Sequence, residues 1–359
     1  MIMVYRAWRF GQALAQRSAL SRSICRLVTT ACLIIILEGL IRRFGFFYER
    51  QAVWWPTNGL CVALLLRTER RKWPWILGGA LLGSLVGQLN NHTPSSLHLF
   101  NIVGNAAGAL LAALMLPHFE KLERWLQEPR LVSRFVAFAI VLAPLISATV
   151  RASYLPLVLH RPGFWIILQR PGIADMLGYA LFTPLALTLS SRETYRPVNV
   201  RRLLRTVMLL ALMAAAASLV FTQSSYALAF ILVSVSVLIA LHLGFSASVI
   251  AVNMLAVITT AQTMHGHGPF TLGGGVILSA RVALLQSFLT LSMITVFAVS
   301  VIQVEREIFQ AKLKLAYEQM QQLATTDPLT GVGNRRRFEE ALEIEWARAY
   351  RTGDSVGLL

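Results

Sequence analysis

Charge is what this sequence has least of. Only 14% of its 359 residues are Asp, Glu, Lys or Arg, against roughly 25% in soluble globular proteins. The shortage holds until about Ile302, after which Glu, Gln, Arg and Asp return. An ordinary soluble domain is thereby excluded for most of the chain. A hydrophobic content of 56% and a mean hydropathy of +0.60 point to lipid as the solvent instead. Cysteine is scarce too. Cys25, Cys32 and Cys61 lie in or beside apolar runs without metal-like spacing, so neither a disulfide framework nor a thiolate centre is expected. Acidic residues are the rarer sign, 17 against 33 Lys and Arg, for a net charge of +16. No polar segment interleaves basic and aromatic residues, so nucleic acid is not expected as a partner. A cleavable signal peptide does not fit either, because an arginine-rich leader (1–26) precedes the first apolar run and no small-residue cleavage site follows it.

What is present is a series of apolar runs, each compatible with a membrane helix. They are Leu27 to Ile41, Val53 to Leu66, Trp73 to Leu89, Leu97 to Leu116, Phe135 to Val150, Gly172 to Leu189, Val207 to Phe221, Tyr226 to Leu243, Phe245 to Met264 and Val276 to Ile302. The second is short and the break before Tyr226 is slight, so the expectation is an all-α polytopic domain of eight to ten transmembrane helices. Placing the N-terminus in the cytoplasm puts Arg6, Arg9, Arg17, Arg22 and Arg26, then Arg67, Arg70, Arg71 and Lys72 inside. Lys121, Arg124, Arg130, Arg134 and the arginines 192–205 follow inside, leaving only Arg42, Arg43, Arg50, Arg151, Arg161 and Arg170 outside. Both termini are then cytoplasmic. Arg151 to Pro171 reads as an irregular outer loop with an aromatic belt, and Pro117 to Arg134 as a short interfacial helix.

Polar side chains at bilayer depth are costly and are candidates for function. Asp175 leads, followed by Glu38, Asn58, Asn101, Asn105 and Asn253. Helix–helix hydrogen bonding is the competing explanation for each. The small residues 78–84 and 104–108 suit close helix packing. His265 and His267 read as a polar turn, since no third metal ligand lies near them in sequence. In Trp54-Trp55-Pro56-Thr57-Asn58-Gly59, proline and glycine are expected to interrupt a helix and free backbone groups for binding.

These stretches resemble the MASE-type membrane-associated sensor domains of bacteria over roughly Leu27 to Ile302. The likeness rests on Trp55-Pro56-Thr57-Asn58-Gly59-Leu60, Gly78-Gly79-Ala80, Gly104-Asn105, and Ala174-Asp175-Met176-Leu177-Gly178 before Thr183-Pro184-Leu185. Thr57 replaces a second proline of that pattern, and Gly108 stands where an acidic residue is expected. The polar groups at depth and the interrupted helix make Trp55, Pro56, Asn58, Gly59, Asn101, Asn105 and Asp175 the candidate sensing sites.

From Val301 onward, Val301, Val304, Ile308, Ala311 and Leu315 form one apolar stripe. Phe309, Leu313, Ala316, Met320 and Leu323 form a second. Two overlapping seams suggest a signalling coiled coil at 303–326 that dimerises through 301–323; a single amphipathic helix is the alternative. Then Asp327-Pro328-Leu329-Thr330-Gly331-Val332-Gly333-Asn334-Arg335-Arg336 resembles the entry signature of GGDEF (diguanylate cyclase) domains. Independently, Pro328 should stop the helix, Asn334 should cap the next, and Val356 to Leu359 should begin a buried strand.

The resemblance implies an incomplete α/β GGDEF start at 327–359, in which Asp327, Leu329, Thr330, Asn334, Arg335 and Arg336 are structural. A complete cyclase joins two GTP molecules with Mg²⁺. The metal-binding Asp and the Gly-Gly-Asp/Glu-Glu-Phe hairpin do not occur in this sequence, so no catalytic residue, metal or cofactor is assigned and the chain is expected to be inactive by itself. The expectation is a sensory protein of cyclic di-GMP signalling in a bacterial inner membrane, answering an unidentified signal or partner membrane protein. A non-catalytic receptor acting by dimerisation and a polytopic transporter are the alternatives.

Overall fold

The computed structural model describes residues 19–44, 47–48, 51–88, 95–117, 129–154, 157–158, 164–191, 199–223, 228–271, 278–327 and 330–357. The chain divides into two compact units, Met1–Val301 and Ile302–Leu359. The first unit is built from helices α1 (Ala19–Arg43), α2 (Pro56–Leu66), α3 (Trp73–Gln88), α4 (Ser95–Met115), α5 (Pro129–Arg134) and α6 (Ala143–Ala152). It continues with α7 (Phe164–Ser190), α8 (Val200–Thr222), α9 (Ala229–Leu243), α10 (Phe245–Met264) and the first part of α11 (Leu278–Thr325). Among the described residues the only strands are the two-residue pair β1 (Phe47–Tyr48) and β2 (Gln51–Ala52), which leads into α2.

Among the described residues, seven helices are long and apolar enough to cross a membrane, against the eight to ten expected. Within its described residues each apolar run holds a helix. However, α2, α3 and α9 have 11, 16 and 15 residues, short of the ~20 that span the hydrocarbon. The predicted outer loop is also shorter than its sequence suggests. Arg151 and Ala152 end α6, and α7 starts at Phe164 instead of near Gly172, because a helix satisfies its own backbone in lipid. The predicted interfacial helix lies mostly outside the described residues. Its last turn, Pro129–Arg134, continues into a wider π-helical stretch at Phe135–Leu142. There the Ala143 N–H reaches the Phe138 carbonyl, just before Pro144, which has no N–H to keep the ordinary ladder in register.

Glycines set the closest helix contacts. On α3, a β-carbon at Gly83 would meet the Ala31 carbonyl of α1 at 2.8 Å, and one at Gly79 would collide with the Leu27 carbonyl. Such small-residue faces let helix backbones touch where lipid supplies no hydrophobic force between helices. A separate core joins α8, α9 and α10 through Met213, Ala217, Phe221, Leu232, Ile239 and Leu255. Phe221 stacks edge-on at 5.5 Å against Phe270, which lies 5.8 Å from Phe288 of α11. The His265–His267 turn is a helix end. Gly266 takes a φ of 84°, and the His267 N–H bonds the Gln262 carbonyl at 2.9 Å.

In the second unit α11 runs on without a break, so the last apolar run and the coupling segment form one helix of 48 residues, about 72 Å long. Helix α12 (Arg335–Thr352) follows a short loop and ends at Gly353, whose φ is 76°. Of the strand expected at Val356 to Leu359, only Val356 and Gly357 are described, and neither is in a strand; Leu358 and Leu359 lie outside the described residues. Residues 353–357 make no ladder, since none of the described residues pairs with them.

Candidate functional site

The site begins where α2 begins. Pro56 occupies the first helical position, where its missing N–H costs nothing. The preceding extended residues are bonded by other helices, as backbone in a membrane requires. The Trp55 N–H donates to the Ala174 carbonyl of α7 at 3.0 Å. Gln286 of α11 donates its amide to the Val53 carbonyl at 2.8 Å. The Trp54 indole donates to Thr260 of α10 at 3.0 Å, and its ring packs 5.1 Å from Phe182. Gly59 does not interrupt α2; it lies within it. A β-carbon at Gly59 would sit 2.5 Å from the Gly178 carbonyl, so the glycine pair serves close approach to α7. Thr183 closes the contact by donating to the Gly59 carbonyl at 3.2 Å.

Docking α2 on α7 brings four helices' polar groups together. The Asn58 amide donates to Asp175 Oδ1 at 3.1 Å and to Asn105 Oδ1 of α4 at 3.2 Å, one hydrogen for each. The Ser147 hydroxyl of α6 lies 3.1 Å from Asp175 Oδ2 and 3.0 Å from Asn105 Oδ1. With a single proton it donates to one of them at a time. Arg151, one turn further along α6, forms an ion pair with Asp175 Oδ2 and donates to Ser147 at 3.0 Å. Asp175 is 1% exposed and the Arg151 side chain 14%, so the pair is held largely out of water and the surrounding amides and hydroxyl complete its shell. Tyr179, one turn beyond Asp175, is fully buried, and its hydroxyl has no hydrogen-bond partner among the described residues. A β-carbon at Gly108 would lie 2.9 Å from that oxygen.

Of the residues singled out in the sequence, Asn58, Asn105 and Asp175 meet directly. Trp55, Pro56 and Gly59 build the turn that holds Asn58. Asn101 lies one turn before Asn105, and its buried Oδ1 has no hydrogen-bond partner among the described residues. Glu38 and Asn253 lie elsewhere. Glu38 is buried in α1 beside Gly87, 3.6 Å from Arg42, while Asn253 donates to the Leu181 carbonyl at 3.1 Å. Ser147, Arg151 and Tyr179 were not legible as members. Arg151 reads as an outer-loop charge, and only its four-residue spacing from Ser147 places both on one helix face.

The GGDEF-like entry residues form their own structure in the second unit. Asp327 Oδ1 accepts from the Thr330 N–H and hydroxyl, both at 2.9 Å. Asn334 Oδ1 caps α12 through the Arg337 N–H at 3.1 Å, while its amide donates to the Ala324 carbonyl of α11 at 2.8 Å. Arg335 and Arg336 pair with Glu339 and Glu340 on exposed helix turns. Leu329 lies outside the described residues.

A bundle of apolar helices around a desolvated ion pair with an amide and hydroxyl shell defines a polytopic membrane protein with a buried polar site. The chain belongs to the MASE1 family of membrane sensor domains, whose sequence profile matches residues 27–307. No curated protein and no solved structure matches the chain.

Proposed function

We propose that the Asn58–Asn105–Ser147–Arg151–Asp175 cluster is the signal-input site of a sensory protein of cyclic di-GMP signalling. The observation that carries it is the convergence of α2, α4, α6 and α7 on one buried ion pair. A ligand or partner that competes for Asp175 or Arg151 disturbs four helices at once, whereas an ordinary interhelical bond joins two. The basic-residue asymmetry supports a bacterial inner-membrane location with both termini cytoplasmic. The Asp327–Thr330 and Asn334 contacts support reading 327–359 as the entry of a GGDEF domain, which when complete takes GTP and Mg²⁺. The coding sequence beyond Leu359 tests this: in-frame codons for Gly-Gly-Asp/Glu-Glu-Phe are expected, and their absence in any frame contradicts a cyclase.

The second reading is a receptor that works by dimerisation alone. It is favoured by Phe309, Leu313 and Met320, which are 67%, 61% and 72% exposed on α11. Disulfide formation from cysteines placed along 301–323 should peak with a period of about 3.5 residues if two copies pair there. An aperiodic pattern counts against pairing.

A further inference from the structure

We propose that Gln286 is the positioning residue that links the input site to helix α11. The inference rests on the input-site reading above. Gln286 is a buried amide on an apolar helix, 8% exposed, and such a residue is retained at bilayer depth only with a partner. Its partner belongs to neither its own helix nor another side chain. It is the carbonyl of Val53, a residue with no exposed surface.

That carbonyl has no helical ladder to join. Val53 lies before the first turn of α2, and Pro56, three residues on, has no N–H to offer. Two hydroxyls of α11, the buried Ser292 and the half-buried Thr290, behave differently. Ser292 bonds the Phe288 carbonyl and Thr290 bonds the Gln286 carbonyl, both within their own helix. Gln286 therefore ties α11 to the segment that supplies the input site. From Val53 the chain passes through Trp55, whose N–H is held by the residue before Asp175, to Asn58, which donates to Asp175 itself. Rearrangement at Asp175 that shifts Asn58 and Trp55 changes the reach of the Val53 carbonyl, and α11 responds through one hydrogen bond. A contiguous hydrogen-bonded path of this kind is what can carry coupling between two sites, and the coupling itself is what the mutant cycle measures.

The test is a double-mutant cycle on the full chain in lipid nanodiscs, read by hydrogen–deuterium exchange. Gln286→Met keeps the shape and removes the donor; exchange across 53–58 should quicken on the order of tenfold as the Val53 carbonyl is orphaned. Asp175→Asn alone should alter exchange in α11 around residue 286. In the Gln286→Met background that α11 response should fall away, whereas Ser292→Ala should leave it intact. Gln286→Asn, which keeps the amide but is one methylene too short, should behave as Gln286→Met does and carries the test if that variant does not fold. An undiminished α11 response in the Gln286 variants overturns the link alone. No α11 response to Asp175→Asn in the parent protein overturns the link together with the reading it rests on.

Discussion

The α-carbon of Gly178 faces the carbonyl oxygen of Trp55 so closely that no β-carbon fits between them, while Gly59 faces the Gly178 carbonyl in return. The reciprocal contact seats α2 on α7 and sets Asn58 against Asp175. Gly178→Ala and Gly59→Ala should each force the helices apart and lower stability by at least the ~1–3 kcal/mol typical of overpacking. Gly39→Ala, with nothing within 4 Å of its β-carbon, should be neutral or slightly stabilising. Thermal unfolding of the purified protein in detergent separates these outcomes, and equal midpoints for all three would refute the contact.

The Arg151–Asp175 pair predicts strong non-additivity. Arg151→Met leaves a buried carboxylate that, among the described residues, keeps Asn58 and Ser147 as partners, and should cost about 3–5 kcal/mol, as unpaired buried charges do. Adding Asp175→Leu should restore most of that loss, because the pair's desolvation penalty disappears with its attraction. Denaturant titration of both single variants and the double variant measures the coupling. Additive losses would show that the two side chains act independently.

At the other end of the chain, Asn334 both caps α12 and holds the end of α11. Asn334→Ala should destabilise the loop by about 1 kcal/mol or somewhat more, the cap accounting for most of it. Asp327→Ala should free the Thr330 amide. Amide exchange in the first turn of α12 reads the first effect and exchange at Thr330 the second. Protection unchanged in both would mean that these motif residues do not hold the loop.

The apolar runs made the helices of the membrane unit legible, because burial in lipid forces the backbone into helices whatever the side chains do. Their lengths were less so. In α7 the aromatic and proline-rich stretch 164–171 reads as loop by composition yet joins the helix, and α2 and α9 stop short of a full span. Asn58, Asn105 and Asp175 stood out because polar groups are rare at depth. Arg151 did not, since a charge at the edge of an apolar run looks like an orientation signal until its partner is in view. Ser147 and Tyr179 carry no such signal, being ordinary in membrane helices. The Val53–Gln286 bond was beyond reach of sequence, as it joins a backbone atom to a side chain 233 positions away.

The most direct test of the input site couples residues 1–326 to a complete GGDEF domain and measures cyclic di-GMP in cells at matched membrane levels. Asn58→Ala, Ser147→Ala and Asp175→Asn should each shift output, up or down, by about tenfold, the effect of one altered buried hydrogen bond of ~1.4 kcal/mol. Asn253→Ala, buried but outside the cluster, should leave it near the parent value. Output that ignores the cluster, or that responds equally to Asn253→Ala, would contradict the assignment of Asp175 and its neighbours as the site where the signal enters.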